Sequence, residues 1–141
     1  MPGRFDYEKL AKYPHLRPED VLIWERFIDK YPEQYLEVDY DVKVGTGRNY
    51  SSYPRDLITK DLEYLSKKRI DVVGYTSDEI HIIEVKPSAG PSALGQVISY
   101  RDLFEIEVAT ELLIVPMIIT NEEMPDTRDL CLKHSILYFV V

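Results

Sequence analysis

Residues 69–86 read RIDVVGYTSDEIHIIEVK, and this pattern predicts a β-hairpin. Strand-forming residues lie on both sides of Ser77-Asp78, which suits a two-residue turn. A hairpin that is symmetric about this turn places Asp71 directly opposite Glu84, and Lys86 projects from the same face because side chains alternate. Opposed carboxylates repel each other at a Cβ separation of roughly 4.5–5.5 Å. Since a divalent cation would relieve that repulsion, the hairpin predicts a metal site.

Hydrophobic periodicity and the positions of proline and glycine predict the remaining elements. Helices are expected at 18–31, 93–104 and 126–134, the second capped by Ser92. Strands are expected at 35–44, 69–75, 80–86, 111–120 and 136–141. Pro116 indicates that the fourth strand is an edge or carries a bulge. The order α-β-β-β-α-β-α-β predicts an α/β fold, a mixed β-sheet flanked by helices.

The predicted strand 35–44 alternates apolar and charged residues, which is typical of a half-buried strand. The apolar face is expected to carry Val38, Tyr40, Val42 and Val44. The opposite face, expected to be solvated, carries Glu37, Asp39, Asp41 and Lys43.

The length of 141 residues predicts a single domain over 1–141, with an N-terminal arm over 1–17 and a basic loop over 45–68. No apolar run is long enough for a membrane span, and the N-terminus is too polar for a signal peptide. The single cysteine, Cys131, excludes an internal disulfide or a cysteine-ligated cluster. We therefore expect a cytoplasmic protein with no membrane partner.

The formal net charge of −8 argues against nucleic acid as a partner, but the charge is unevenly distributed. Residues 43–69 carry seven basic and three acidic residues, a local net charge of +4. This segment is expected either to present a positive face to nucleic acid or to be an ordinary solvated loop. The basic candidates for nucleic-acid binding are Arg48, Arg55, Lys60, Lys67, Lys68 and Arg69. Tyr50 and Tyr53 lie among them and are candidates for stacking on bases.

The hairpin carries the donor set that Mg²⁺ or Mn²⁺ needs in a phosphodiesterase. Mg²⁺ binds one or two carboxylates together with waters and substrate oxygens. Asp71 and Glu84 supply the carboxylates, the Val85 carbonyl is within reach of the same ion, and Lys86 is placed to orient water. Gln96 and Tyr100 follow at i and i+4, so they share one face of the next helix.

Three motifs together, Ile70-Asp71, Glu84-x-Lys86 and Gln96-x-x-x-Tyr100, resemble the PD-(D/E)XK nuclease superfamily. The last motif is similar to that of its RecB-like exonuclease branch, although Ile70 replaces the usual proline. The resemblance extends from about residue 18 to the C-terminus. It implies a restriction-endonuclease-like core and a Mg²⁺- or Mn²⁺-dependent nuclease that acts on DNA.

The resemblance also implies roles for individual residues. Asp71 and Glu84 would be metal ligands, Lys86 the catalytic lysine, and Gln96 with Tyr100 an accessory catalytic pair. The superfamily often adds a glutamate from the first helix, and Glu25 is the candidate here. A domain this compact is expected to form a homodimer or to work inside a larger nucleic-acid-processing complex.

Two other classes of protein remain open from the sequence. A nuclease-fold protein that binds nucleic acid or a partner protein without cutting would agree with the acidic net charge. An unrelated α/β interaction domain requires the opposed carboxylates to be a coincidence.

Overall fold

The computed structural model describes residues 3–47 and 67–141, which form one mixed sheet and three helices. The strands are β1 (Phe5–Asp6), β2 (Glu37–Val44), β3 (Lys68–Tyr75), β4 (Glu79–Ser88), β5 (Leu113–Glu122) and β6 (Leu137–Val140). The helices are α1 (Pro18–Lys30), α2 (Pro91–Glu107) and α3 (Pro125–Lys133). The predicted order of elements is confirmed for the described residues, except that the short strand β1 precedes it.

The six strands lie side by side in the order β1-β2-β3-β4-β5-β6. The pairs from β1 to β4 are antiparallel, whereas β4–β5 and β5–β6 are parallel. Parallel neighbours need a crossover, and α2 and α3 supply it. One apolar cluster packs α1 on the sheet, and a second packs α2 on it. The α/β class and the mixed sheet are therefore confirmed.

The hairpin register follows the prediction as far as the backbone pairing extends. Tyr75 pairs with Ile80, and the ladder continues to Val72 and Ile83. Asp71 is the next residue on β3, and its side chain rather than its backbone makes the following contact. The backbone pairing of the two strands ends at Val72 and Ile83, directly before the two carboxylates. The groups at this end of the hairpin can therefore take part in a site.

The predicted single apolar face of β2 is wrong. Val38 and Tyr40 pack on the α1 side of the sheet, whereas Val42 and Val44 pack on the α2 side. The change occurs at Asp41, whose φ of 53° is left-handed and interrupts the alternation. Asp39 is also not solvated, since it is 7% exposed.

The predicted edge strand at Pro116 is wrong, because β5 is paired on both sides. β5 lies between two strands, but β6 pairs with it only from Met117 onward. The Val141 N–H donates to the Thr120 carbonyl, so the backbone N–H and C=O groups of Thr120 point toward β6. By alternation Pro116 points the same way, toward the uncovered part of the edge, where its missing N–H removes no strand pairing.

Two predicted boundaries need correction. Helix α2 begins at Pro91 with Gly90 as N-cap, so Ser92 lies inside the first turn and is not the cap. Proline fits there because the first helical N–H has no partner in the helix. The predicted basic loop 45–68 extends too far, because β3 already begins at Lys68. Residues 48–66 of that loop lie outside the described part of the chain.

The N-terminal arm is attached to the sheet. Phe5 pairs with Val38, which makes β1 an edge strand that the sequence pattern did not reveal. The Tyr7 hydroxyl donates to the Tyr31 carbonyl at 2.7 Å, and Tyr13 is buried in the α1 cluster. No helix of the described ranges has the length and apolar character needed to cross a membrane.

Candidate metal and nucleic-acid site

The end of the β3–β4 hairpin and the start of α1 enclose a pocket of about 270 Å³, called here the metal pocket. It is lined by Arg17, Glu19, Asp20, Asp71, Glu84, Val85, Lys86, Pro87 and Ser88. The antiparallel pairing of β3 with β4 brings Asp71 beside Glu84, and the N-terminus of α1 closes the other side. The structure thus brings together the four site residues predicted from the hairpin: Asp71, Glu84, Val85 and Lys86.

Asp71 is bound to the backbone of the neighbouring strand. Its Oδ2 accepts a hydrogen bond from the Val85 N–H at 3.0 Å. The N–H and carbonyl of one strand residue point to the same side, so the Val85 carbonyl also points toward β3. Burial raises the pKa of Asp71 to about 6, and the charges of Asp20 and Asp41 add to the rise, while the Val85 hydrogen bond and Lys86 oppose it.

Glu84 is the group of the metal pocket whose ionised form is least favourable. Its side chain is 4% exposed, and its Oε1 has no hydrogen-bond partner among the described residues. Burial, followed by the charge of Asp71, raises the pKa of Glu84 to about 9, although Lys86 opposes this. In the absence of a cation Glu84 therefore keeps its proton at neutral pH. A buried carboxylate oxygen without a partner is costly, and a bound cation would satisfy it.

Lys86 is oriented by the helix that follows its strand. Its Nζ donates to Gln96 Oε1 at 2.6 Å. Gln96 also hydrogen-bonds to Tyr100, one turn further along α2. Burial, followed by the charges of Glu84 and Asp71, raises the pKa of Tyr100. The predicted accessory pair is thus beside the carboxylates.

The structure does not bring Glu25 to the metal pocket. Its Oε2 accepts a hydrogen bond from the Tyr13 hydroxyl at 2.8 Å, in the interface between α1 and the N-terminal arm. The acid that α1 contributes to the pocket is Asp20, and its burial raises its pKa. Asp20 was not predicted from the sequence, because an acidic residue in the first turn is already explained by the helix dipole.

The metal pocket fits a small hard cation with few protein ligands. Within residues 3–47 and 67–141, no three His, Cys, Asp or Glu side chains are arranged to hold a metal ion. Mg²⁺ does not require three, since it is often held by one or two carboxylates and keeps several waters. Asp71, Glu84 and the Val85 carbonyl meet that requirement, and the unpartnered oxygen of Glu84 is the observation that favours a cation.

The predicted nucleic-acid contacts are only partly described. Arg48, Tyr50, Tyr53, Arg55 and Lys60 lie outside the described residues. Lys67 precedes β3, and Lys68, the first residue of β3, is exposed. Arg69 is half-buried, and its guanidinium contacts His15 and Asp41. Among the predicted nucleic-acid contacts, the structure therefore places Arg69 beside Asp71, in a pocket that adjoins the metal pocket.

Comparisons of the chain with protein-family models, with curated proteins and with solved structures find no match. The fold and the pocket define an α/β protein with one buried carboxylate, one half-buried carboxylate and an oriented lysine at the end of a hairpin. Its function has to be inferred from this geometry.

Proposed function

We propose that the protein is a Mg²⁺- or Mn²⁺-dependent nuclease that hydrolyses phosphodiester bonds of DNA, built on a restriction-endonuclease-like core. The observation that carries the proposal is the Glu84 carboxylate, which is buried beside Asp71 with one oxygen unpartnered. A buried carboxylate oxygen without a partner, placed beside a second carboxylate, destabilises the fold, and a bound cation would offset that cost. The three motifs shared with PD-(D/E)XK nucleases support the same conclusion.

The residues of the metal pocket would have different roles in hydrolysis. Asp71 and Glu84 would hold the cation as carboxylates, together with the Val85 carbonyl. A bound Mg²⁺ or Mn²⁺ acidifies a water molecule and neutralises charge on the phosphate. Lys86, held by Gln96, orients the attacking water or balances charge at the phosphate. Tyr100 interacts with Gln96 and restricts its side chain, so the Lys86 ammonium is held in one orientation.

The test is cleavage of labelled single-stranded, duplex and branched DNA with Mg²⁺, with Mn²⁺ or with EDTA. We expect the wild-type protein to cut at least one of these substrates only when the metal is present. Lys86→Ala should lose this activity, whereas Lys133→Ala, at the exposed end of α3, should retain it. Cleavage that persists in EDTA or in Lys86→Ala would refute the proposal.

One observation favours a second candidate, a nuclease-fold protein that binds nucleic acid or a partner without cutting. The described residues hold two carboxylates and a backbone carbonyl near each other but no group of three metal-binding side chains. Absence of cleavage in every metal, combined with retained DNA binding, would support this candidate.

A further inference from the structure

Asp71 also lines a second, smaller pocket of about 100 Å³, called here the Arg69 pocket. Its lining residues are Pro14, His15, Leu16, Asp41, Arg69 and Asp71. Sites for drug-sized ligands measure roughly 300–1,000 Å³, so this pocket suits a group of a few heavy atoms. Because Asp71 is a wall of both pockets, a ligand in the Arg69 pocket lies next to whatever the metal pocket holds.

Arg69 contacts two residues from other parts of the chain in this pocket, His15 by a hydrogen bond and Asp41 by a longer ionic contact. Its Nη1 donates to His15 Nδ1 at 2.8 Å, and its Nε lies 3.7 Å from Asp41 Oδ1. The side chain is 32% exposed. These contacts use Nε and Nη1, and Nη2 makes no hydrogen bond to a described residue. An arginine held in this way can present its remaining N–H groups to an oxyanion with little loss of side-chain freedom.

Asp41 and His15 both adopt unusual backbone conformations. Their φ values are 53° and 56°, and His15 Nε2 lies 3.4 Å from Asp41 Oδ2. The β2–β3 register places Asp41 opposite Asp71, between the pairs Tyr40–Val72 and Val42–Ile70. Left-handed residues other than glycine are strained and cluster at functional sites. Here the two strained residues are the ones that hold Arg69.

We propose that the Arg69 pocket binds a phosphate of the nucleic-acid backbone adjacent to the phosphate that is cut. Arg69 is the phosphate ligand, and Asp41 is the residue that positions it. This inference rests on the proposed function, because it assumes that the metal pocket holds the scissile phosphate. A guanidinium matches the geometry of phosphate oxygens, and the size of the pocket agrees with such a group.

The experiment measures binding of fluorescein-labelled DNA, single-stranded and duplex, in Mg²⁺ across a range of NaCl concentrations. Lys86→Ala serves as the parent so that the DNA stays intact. Arg69→Ala, Arg69→Lys and Asp41→Asn are added to it, with Arg26→Ala, an exposed arginine of α1, as the control. Asparagine tolerates the left-handed conformation, so Asp41→Asn changes the charge without new backbone strain.

Arg69→Ala should raise the Kd about tenfold and reduce the slope of log K against log salt by about one, the value for one lost phosphate contact. Arg69→Lys should keep the slope with an intermediate Kd, and Arg26→Ala should match the parent. Asp41→Asn gives the sharpest result. Removal of a negative charge alone would strengthen DNA binding, whereas loss of a positioning residue weakens it. We expect the Kd of Asp41→Asn to rise severalfold.

The subsite is refuted if Arg69→Ala and Arg69→Lys keep the parent's Kd and slope, or if Asp41→Asn binds more tightly. A lower melting temperature with unchanged DNA binding would identify a purely structural ion pair. Wild-type cleavage with no Arg69 effect leaves the nuclease and removes the subsite. Arg69 effects without wild-type cleavage refute a subsite beside a cut phosphate and instead identify a phosphate contact on a protein that only binds DNA. Absence of any DNA binding refutes both proposals.

Discussion

Replacement of Glu84 by glutamine should stabilise the metal-free protein at neutral pH. Glu84 titrates at 4.5 in an unfolded chain and at about 9 in the folded protein. At pH 7 the folded state therefore takes up a proton that the unfolded state lacks. Because pH 7 lies about 2.5 pH units above the unfolded value, this uptake costs about 3 kcal/mol of folding free energy. The cost depends on the unfolded pKa and not on the exact folded value, provided the latter stays above 7.

The sign of the pH dependence follows from the raised pKa. Stability that derives from neutral Glu84 is fully present below pH 4.5 and is lost as the pH rises toward 9. Asp71, raised to about 6, adds a similar loss between its unfolded pKa of 3.8 and pH 6, but in wild type and variant alike. The difference between wild type and Glu84→Gln should therefore be near zero at pH 4 and reach about 3 kcal/mol at pH 7.

Urea unfolding in EDTA at pH 4, 5, 6, 7 and 8 measures this difference. Glu111→Gln, at an exposed position that precedes β5, is the matched control and should follow the wild type at every pH. If Glu84→Gln is less stable than wild type at pH 7, Glu84 is ionised and held by a structural ion pair with Lys86. That result would refute the interpretation that Glu84 is a neutral carboxyl group in the metal-free protein and ionises when it binds a cation.

Three further predictions concern the metal, the lysine and the fold. Mn²⁺ binding near pH 7 should release about one proton, because Glu84 must ionise to bind the ion. Calorimetry in two buffers of different ionisation enthalpy measures this release. A binding enthalpy that is the same in both buffers would contradict it. Gln96→Ala should lower kcat about tenfold to a hundredfold with little change in KM, because Lys86 loses the acceptor that orients it. An unchanged kcat would show that this hydrogen bond is irrelevant to catalysis. Gly74→Ala should destabilise the protein by about 1–3 kcal/mol, because an added Cβ would lie 2.5 Å from the buried Tyr35 ring. Urea unfolding checks this, and wild-type stability would mean that the ring can move aside.

The sequence predicted the hairpin and its register because both depend on local rules. A two-residue turn fixes the pairing, and alternation then decides which side chains share a face. The position of Gln96 and Tyr100 beside Lys86 followed from the short connection between β4 and α2. The order of helices and strands was equally accessible, since periodicity reports it directly.

The switch of faces in β2 was not predictable from the pattern. Val38 to Val44 alternates without interruption, and only the left-handed backbone at Asp41 shows that the two halves face opposite sides. The strand β1 was also missed, because two residues are too few for a periodic signal. Glu25 was the acid predicted from α1, and Asp20 was not predicted. Tertiary packing separates them, since Tyr13 of the N-terminal arm binds Glu25 and leaves Asp20 at the pocket.

The central claim is that Asp71, Glu84 and Lys86 form a metal-dependent site for phosphodiester hydrolysis. The most direct measurement is the single-turnover rate of DNA cleavage at saturating Mn²⁺ by wild type and Glu84→Gln, both shown to be folded. We predict metal-dependent cleavage by the wild type and a rate at least about a hundredfold lower for Glu84→Gln, because the variant loses several kcal/mol of transition-state stabilisation. Equal rates, or no cleavage by either protein under any metal condition, would contradict the claim.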